Sequence, residues 1–173
     1  MLEDSKQIVV VGAGIGGLTT ALCLKHFGLN ASVYERSNEV TTAGAGIQLS
    51  PNANRVFSRI GLFDEVSALS RRCKGIKVFD YKSNSQLALF DYMKFKQDAA
   101  FLFCHRADLV GILYAACKKL KIPVHFDKKL ENIKNGEVIF SDGNVYSADI
   151  IVGADGLHSN VRKALFDEET PIF

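Results

Sequence analysis

Ile8-Val9-Val10-Val11-Gly12-Ala13-Gly14-Ile15-Gly16-Gly17 passes from four β-branched residues straight into a turn rich in glycine. A short all-apolar run of this kind is the pattern of a parallel strand buried on both faces. Gly12, Gly14 and Gly17 spell G-x-G-x-x-G, and each place calls for glycine for its own reason. The first permits a tight turn off the strand, the second leaves room for a pyrophosphate, and the third lets the following helix pack closely on the sheet. A helix that starts here offers unpaired N–H groups and the positive end of its dipole to phosphate oxygens. Leu18 to Phe27 predicts that helix, closed by Gly28, and Ala31 to Tyr34 predicts a second strand. Glu35 follows, about 20 residues beyond the turn, where an acid accepts hydrogen bonds from a ribose. A carboxylate there selects an unphosphorylated ribose, hence FAD or NAD rather than NADP. A glycine-rich turn with no ligand is the bland alternative.

Working outward, Ser50-Pro51 opens another predicted helix, with Ser50 as N-cap, Pro51 in the first turn and Gly61 at its end. Gly75 to Tyr81 and Gln86 to Asp91 predict a hairpin around Lys82 to Ser85. A strand is expected at Phe101 to Cys104 and a helix at Ala107 to Leu120. Short strands are expected at 124–126, 130–133, 137–140 and 144–146, with a turn at Asp142-Gly143. Ile150 to Val152 predicts one more buried strand, and Ser159 to Phe166 a helix. Parallel βα units interrupted by antiparallel hairpins make an α/β sheet with β additions.

The 173 residues suffice for one domain with a real core. A formal net charge of +2, with only the short basic runs Arg71-Arg72 and Lys118-Lys119, argues against nucleic acid or an anionic membrane as partner. Both basic runs read as solvated surface. Cys23, Cys73, Cys104 and Cys117 lack metal-ligand spacing and read as reduced, packed thiols, which suits the cytoplasm. His26, His105, His125 and His158 show no spacing for a metal or a triad, so no metal is expected. No signal peptide or membrane span is expected either.

Three further stretches carry a resemblance. Gly44-Ala45-Gly46-Ile47-Gln48-Leu49-Ser50-Pro51-Asn52-Ala53, His105-Arg106-Ala107-Asp108-Leu109 and Asp149-Ile150-Ile151-Val152-Gly153-Ala154-Asp155-Gly156, taken with the glycine turn, resemble the class A FAD-dependent aromatic monooxygenases of the salicylate hydroxylase type. The resemblance runs the length of the chain. It implies a Rossmann-like FAD-binding domain over 1–173, with the 75–91 hairpin belonging to the sheet of a substrate domain. Gly12, Ala13, Gly14 and Gly17 would then hold the pyrophosphate, and Glu35 with Arg36 the adenosine ribose. Ala45, Gly46 and Ile47, in a loop from Gly44, would lie along the flavin. Arg106 would reach the phosphate or ribityl region, and Leu130 would offer its backbone to the adenine. Asp155 and Gly156 would stand near the pyrophosphate and the nicotinamide reductant, NADH or NADPH. The substrate would be a small aromatic molecule.

The fold is expected to be incomplete relative to the full family. A second flavin motif, a G-D pair, and most of the substrate-pocket sheet are not found before Phe173. The chain by itself is therefore expected to lack hydroxylase activity, since such chemistry needs a closed, water-excluding site. No catalytic acid or base can be named. Two alternatives stay open at this point: a non-catalytic dinucleotide-binding module or remnant, and another FAD or NAD oxidoreductase such as a quinone-pathway hydroxylase or an epoxidase.

Overall fold

A computed structural model describes residues 6–40, 44–94 and 100–166. In chain order the elements begin with β1 (Ile8–Val11), α1 (Ile15–His26), β2 (Ala31–Tyr34), β3 (Gly46–Leu49), α2 (Pro51–Arg59) and α3 (Phe63–Ala68). Then come β4 (Arg71–Arg72), β5 (Gly75–Phe79), β6 (Gln86–Asp91), a 3-10 turn at Tyr92–Lys94, β7 (Leu102–His105) and α4 (Arg106–Lys119). The chain continues through β8 (Val124–His125), β9 (Leu130–Lys134), β10 (Glu137–Phe140), β11 (Val145–Ser147), β12 (Ile150–Gly153) and α5 (Asn160–Phe166). These divide into two compact units, Met1–Thr42 with Leu109–Phe173, and Ala43–Asp108.

The first unit is built on a four-stranded parallel sheet in the order β12-β1-β2-β8. All four residues of β1 are buried, as its uninterrupted apolar run requires. Helix α1 starts at Ile15, one turn earlier than expected, so that Gly16 and Gly17 lie inside it. It ends at His26 with Phe27 as its C-cap, and Gly28 follows at φ +80°. Leu18 and Leu113 are fully buried, and the Cys117 thiol lies against the Leu18 carbonyl, so α1 and the later part of α4 pack together. Burial pushes the Cys117 thiol up to about 11, which keeps it a neutral packing group.

The meander β9-β10-β11 is antiparallel, and it buries Val138 and Phe140 against Val9, Val11 and Tyr34 of the parallel sheet. Tyr34 is the centre of this contact. Its ring stacks on Phe140 at 4.9 Å between centroids and on His125 at 4.8 Å, with Tyr146 tilted against it at 5.0 Å. His125 is thus part of the packing. In the turn between β10 and β11, Lys128 and Asn144 hold the Asp142 carboxyl down at about 2.

In the second unit β3, β7 and β4 form an antiparallel sheet, and β5 pairs with β6 around a turn in which the Asp80 carboxylate accepts the Lys82 and Ser83 amides. Four points differ from expectation, the first being the short helix α3 (Phe63–Ala68), which was not expected. The Gly44 to Ile47 stretch is not all loop, because Gly46–Leu49 pairs with Leu102–His105. Arg71-Arg72 is exposed as expected, yet its backbone forms a strand edge on β7. Ser50 sits at the N-cap of α2 without capping it, since its hydroxyl is turned to the Asn52 side chain.

Phe140 is fully buried between the meander and the parallel sheet. Phe140→Ala should therefore cost about 3–5 kcal/mol of unfolding free energy, measured by urea denaturation. A loss below about 1 kcal/mol would mean that this contact does not hold the meander in place.

Candidate functional site

Gly12 leaves β1 with φ +106°, a conformation that L side chains rarely adopt. Its N–H donates to the Tyr34 carbonyl at 2.7 Å, and the Ala154 N–H donates to the Val11 carbonyl at 2.8 Å, so the turn is fixed from both neighbouring strands. A β-carbon on Gly12 would lie 2.4 Å from the Ala154 carbonyl oxygen. One on Gly17 would lie 1.8 Å from the Gly12 carbonyl oxygen. These two glycines are demanded by the fold itself.

Gly14 is different. Its φ is −75°, open to any residue, and a β-carbon there would meet nothing within 4 Å. Gly16 is equally open. The amides of Gly14, Ile15, Gly16 and Gly17 donate to nothing among the described residues, and no side chain caps α1. The first turn of this 12-residue helix is therefore an array of free donors at the positive end of a dipole, with space in front of it.

Helix α5 shows what a satisfied N-terminus looks like in the same unit. The Asp155 carboxylate accepts the Ser159 hydroxyl and the amides of Asn160 and Val161, at 2.6 Å and 3.2 Å for the amides. Ser159 in turn accepts the Arg162 amide at 3.0 Å. The side chain of Asp155 is thus a cap, while Gly156 beside it turns the backbone at φ +82°.

Glu35 stands at the carboxyl end of β2 and is half-buried. One carboxylate oxygen accepts the Ala13 amide at 2.7 Å and the other the Ser37 amide at 2.9 Å. Each oxygen keeps a further lone pair, so the group can still accept a hydroxyl donor. The backbone of Glu35 also receives the Lys128 amide at 2.8 Å, which brings the segment leading to Leu130 alongside it. Leu130 is buried, and its carbonyl accepts the Asn160 side-chain amide at 2.8 Å. Arg36 is exposed, with no partner among the described residues.

Within the second unit, Arg106 opens α4 and donates its amide to the Ala45 carbonyl at 3.3 Å. A β-carbon on Gly44 would lie 2.9 Å from Cδ of Arg106, so Gly44 is small because the arginine stem lies over it. Gly44, Ala45 and Gly46 are exposed and Ile47 is half-buried. The Cys104 thiol, opposite Ile47 in the sheet, is pushed up by burial, ahead of an opposing hydrogen bond from Ser70. It is a protonated packing group and not a nucleophile. Among the described residues no three His, Cys, Asp or Glu side chains could hold a metal ion, and no helix is long and apolar enough to cross a membrane.

The structure thus brings Gly12, Ala13, Gly14, Gly17, Glu35, Leu130, Asp155 and Gly156 together in one unit, and Ala45, Gly46, Ile47 and Arg106 in the other. Ala154, Ser159 and Asn160 also shape the site. Ser159 opens the predicted helix and is a residue type suited to an N-cap, whereas nothing in the sequence marks Asn160.

A family model described as an FAD binding domain matches residues 5–169. The chain is 34% identical to 3-amino-4-hydroxybenzoate 2-monooxygenase of Streptomyces cremeus, over 95% of its own length and 43% of the relative's. It is 32% identical to 6-hydroxynicotinate 3-monooxygenase of Bordetella bronchiseptica, over 98% and 46%. Among solved structures it superposes on a tetrameric form of 2-methyl-3-hydroxypyridine-5-carboxylic acid oxygenase with a TM-score of 0.84 and 27% identity, over 95% of this chain and 43% of that one. The chain therefore spans somewhat less than half the length of these relatives.

If the Asp155 carboxylate is a cap, Asp155→Ala should lower stability by about 1–2 kcal/mol and Asp155→Asn should recover most of that loss. Chemical denaturation reads both; an alanine variant as stable as the parent would contradict the capping role.

Proposed function

The chain belongs to the FAD binding domain family, and on that premise we propose that it is the cofactor-binding portion of a flavin-dependent aromatic monooxygenase. The observation that carries the reading is Gly14. Neither its dihedral angles nor any neighbouring atom of the chain requires glycine there, and four free amides surround it. A pyrophosphate supplies the missing reason, because its oxygens need both the space and the donors. The residues present fit FAD in that respect.

In this reading Gly12, Ala13, Gly14 and Gly17 cradle the pyrophosphate. Glu35 accepts the hydroxyls of the adenosine ribose while still holding the Ala13 amide, so ribose and pyrophosphate are recognised by one connected group of atoms. Arg36, exposed beside it, adds a charged donor at the adenosine ribose. Leu130 offers its backbone to the adenine. Ala45, Gly46 and Ile47 lie along the flavin, and Arg106 supplies a forked donor to the phosphate or ribityl region. Asp155 contributes by fixing the turn that carries Gly156. Bound FAD supplies the redox and oxygen-transfer chemistry, and the chain's part is to bind and orient it.

Two of the relatives named above are a 3-amino-4-hydroxybenzoate 2-monooxygenase and a 6-hydroxynicotinate 3-monooxygenase. By analogy the whole protein would hydroxylate a small aromatic acid, using NADH or NADPH as reductant, in the cytoplasm, where the four free cysteines stay reduced. The hairpin β5-β6 would belong to the sheet of a substrate domain. It leaves Ile76, Val78, Phe79, Leu87, Leu89 and Phe90 exposed, more apolar surface than a finished sheet edge carries.

Gly14→Val is the informative substitution. The variant should unfold within about 2 °C of the parent, because the valine projects into open space, yet bind FAD at least about tenfold more weakly. Flavin fluorescence titration and thermal unfolding together read this. A parent chain that takes up no FAD, or a valine variant that binds as well as the parent, would overturn the proposal.

A further inference from the structure

Asn160 is the first residue of α5, and it joins two parts of the site that are distant in the sequence. Its backbone amide is held by the Asp155 carboxylate at 2.6 Å. Its side-chain amide reaches 30 residues back to the Leu130 carbonyl at 2.8 Å. Asp155 in turn sits against the glycine turn, since a β-carbon on Gly12 would lie 3.0 Å from the Asp155 Cα. On the other side, the segment before Leu130 is bonded to the ribose-binding acid, with the Lys128 amide on the Glu35 carbonyl and the Asp127 amide on the Ser37 carbonyl. Asn160 is therefore the link that closes a ring running from Gly12 through Asp155, Asn160, Leu130 and Lys128 to Glu35, and back through the Ala13 amide.

The position of the link matters chemically. At Leu130 the ladder between β9 and β10 is irregular: its register shifts between Ile139 and Phe140, and the Phe140 amide bonds to Asn144. A peptide at such a break is not oriented by a regular ladder alone. The Asn160 amide occupies one lone pair of the Leu130 carbonyl and fixes the plane of that peptide. We propose that Asn160 is a positioning residue for the adenine of the cofactor, acting through the Leu130 peptide to set base discrimination. This rests on the reading of Leu130 as the adenine contact.

The role separates Asn160 from an ordinary tie between a helix and a strand. A tie would affect every ligand of the site in step with stability. A residue that orients the adenine-facing peptide affects only ligands that carry adenine, and most strongly the choice between adenine and a purine with the amine replaced. FAD and its hypoxanthine analogue differ along that edge alone, where the 6-amino donor becomes an oxo acceptor and N1 changes from acceptor to N–H donor.

The test is a titration of the full chain with FAD and with the hypoxanthine analogue, for the parent and for Asn160→Ala, Asn160→Asp and Asn160→His, with thermal unfolding of each. In the parent FAD should bind at least about fivefold more tightly than the analogue, the scale of one hydrogen bond. Asn160→Ala and Asn160→Asp, which lack the donor, should bring that ratio close to one. Asn160→His retains an N–H donor at similar reach and should keep most of the discrimination. Should the alanine variant not fold, the Asp and His pair decides, because histidine keeps a donor for the Leu130 carbonyl and aspartate offers only acceptors. An unchanged ratio in the donorless variants, or equal weakening for both ligands in step with stability, would overturn the role. A parent that binds FAD and the analogue equally would overturn it too, whereas a parent that binds neither would instead remove the FAD reading itself.

Discussion

The hydrogen bond from the Ala13 amide to the Glu35 carboxylate is the constraint on which the site depends. It spans 22 residues and closes the first β-α-β unit at its carboxyl end, where open α/β sheets bind ligands. The glycine turn can take up this bond only because Gly12 has positive φ and because Gly17 leaves the Gly12 carbonyl unobstructed. The Tyr34 carbonyl receives the Gly12 amide immediately before Glu35 begins, so the turn and the acid are set by the same strand. Tyr34 is itself held by its stack on Phe140 and His125. Packing in the core and geometry at the site are continuous through that one residue.

The two helix N-termini of this unit express opposite solutions to one problem. Every helix begins with amides that lack an intrahelical partner. In α5 the chain satisfies them with Asp155 and Ser159. In α1 it places glycines and leaves them open. An uncapped first turn is a standing cost that an anion removes, so the same feature that weakens the ligand-free helix supplies affinity for phosphate.

Much of this was legible in the sequence, for identifiable reasons. Ile8 to Val11 has no polar residue to confuse its period, and Gly12, Gly14 and Gly17 carry a spacing that few other structures need. The meander was legible from its turn residues Asp142 and Gly143. By contrast Gly46–Leu49 has two small or polar residues and follows a glycine-rich stretch, so it reads as loop; only its pairing with Leu102–His105 makes it a strand. Arg71-Arg72 forms a strand by the same tertiary route. Asp155 reads from the resemblance as a ligand contact, and only its three hydrogen bonds within the chain make its side chain a cap. Asn160 carried no signal at all, because its partner lies 30 residues away and the choice of a carbonyl acceptor has no pattern in sequence.

The claim that the first turn of α1 is a pyrophosphate cradle can be tested at its own atoms. Amide resonances of Ala13 to Gly17, followed by nuclear magnetic resonance in isotope-labelled chain during titration with ADP and, separately, with riboflavin, report on those donors directly. ADP should move the Gly14, Ile15 and Gly16 amides in a saturable way, and riboflavin should leave them in place. If ADP leaves these amides unmoved while shifting others, or if riboflavin moves them equally, the cradle is not where the free donors point.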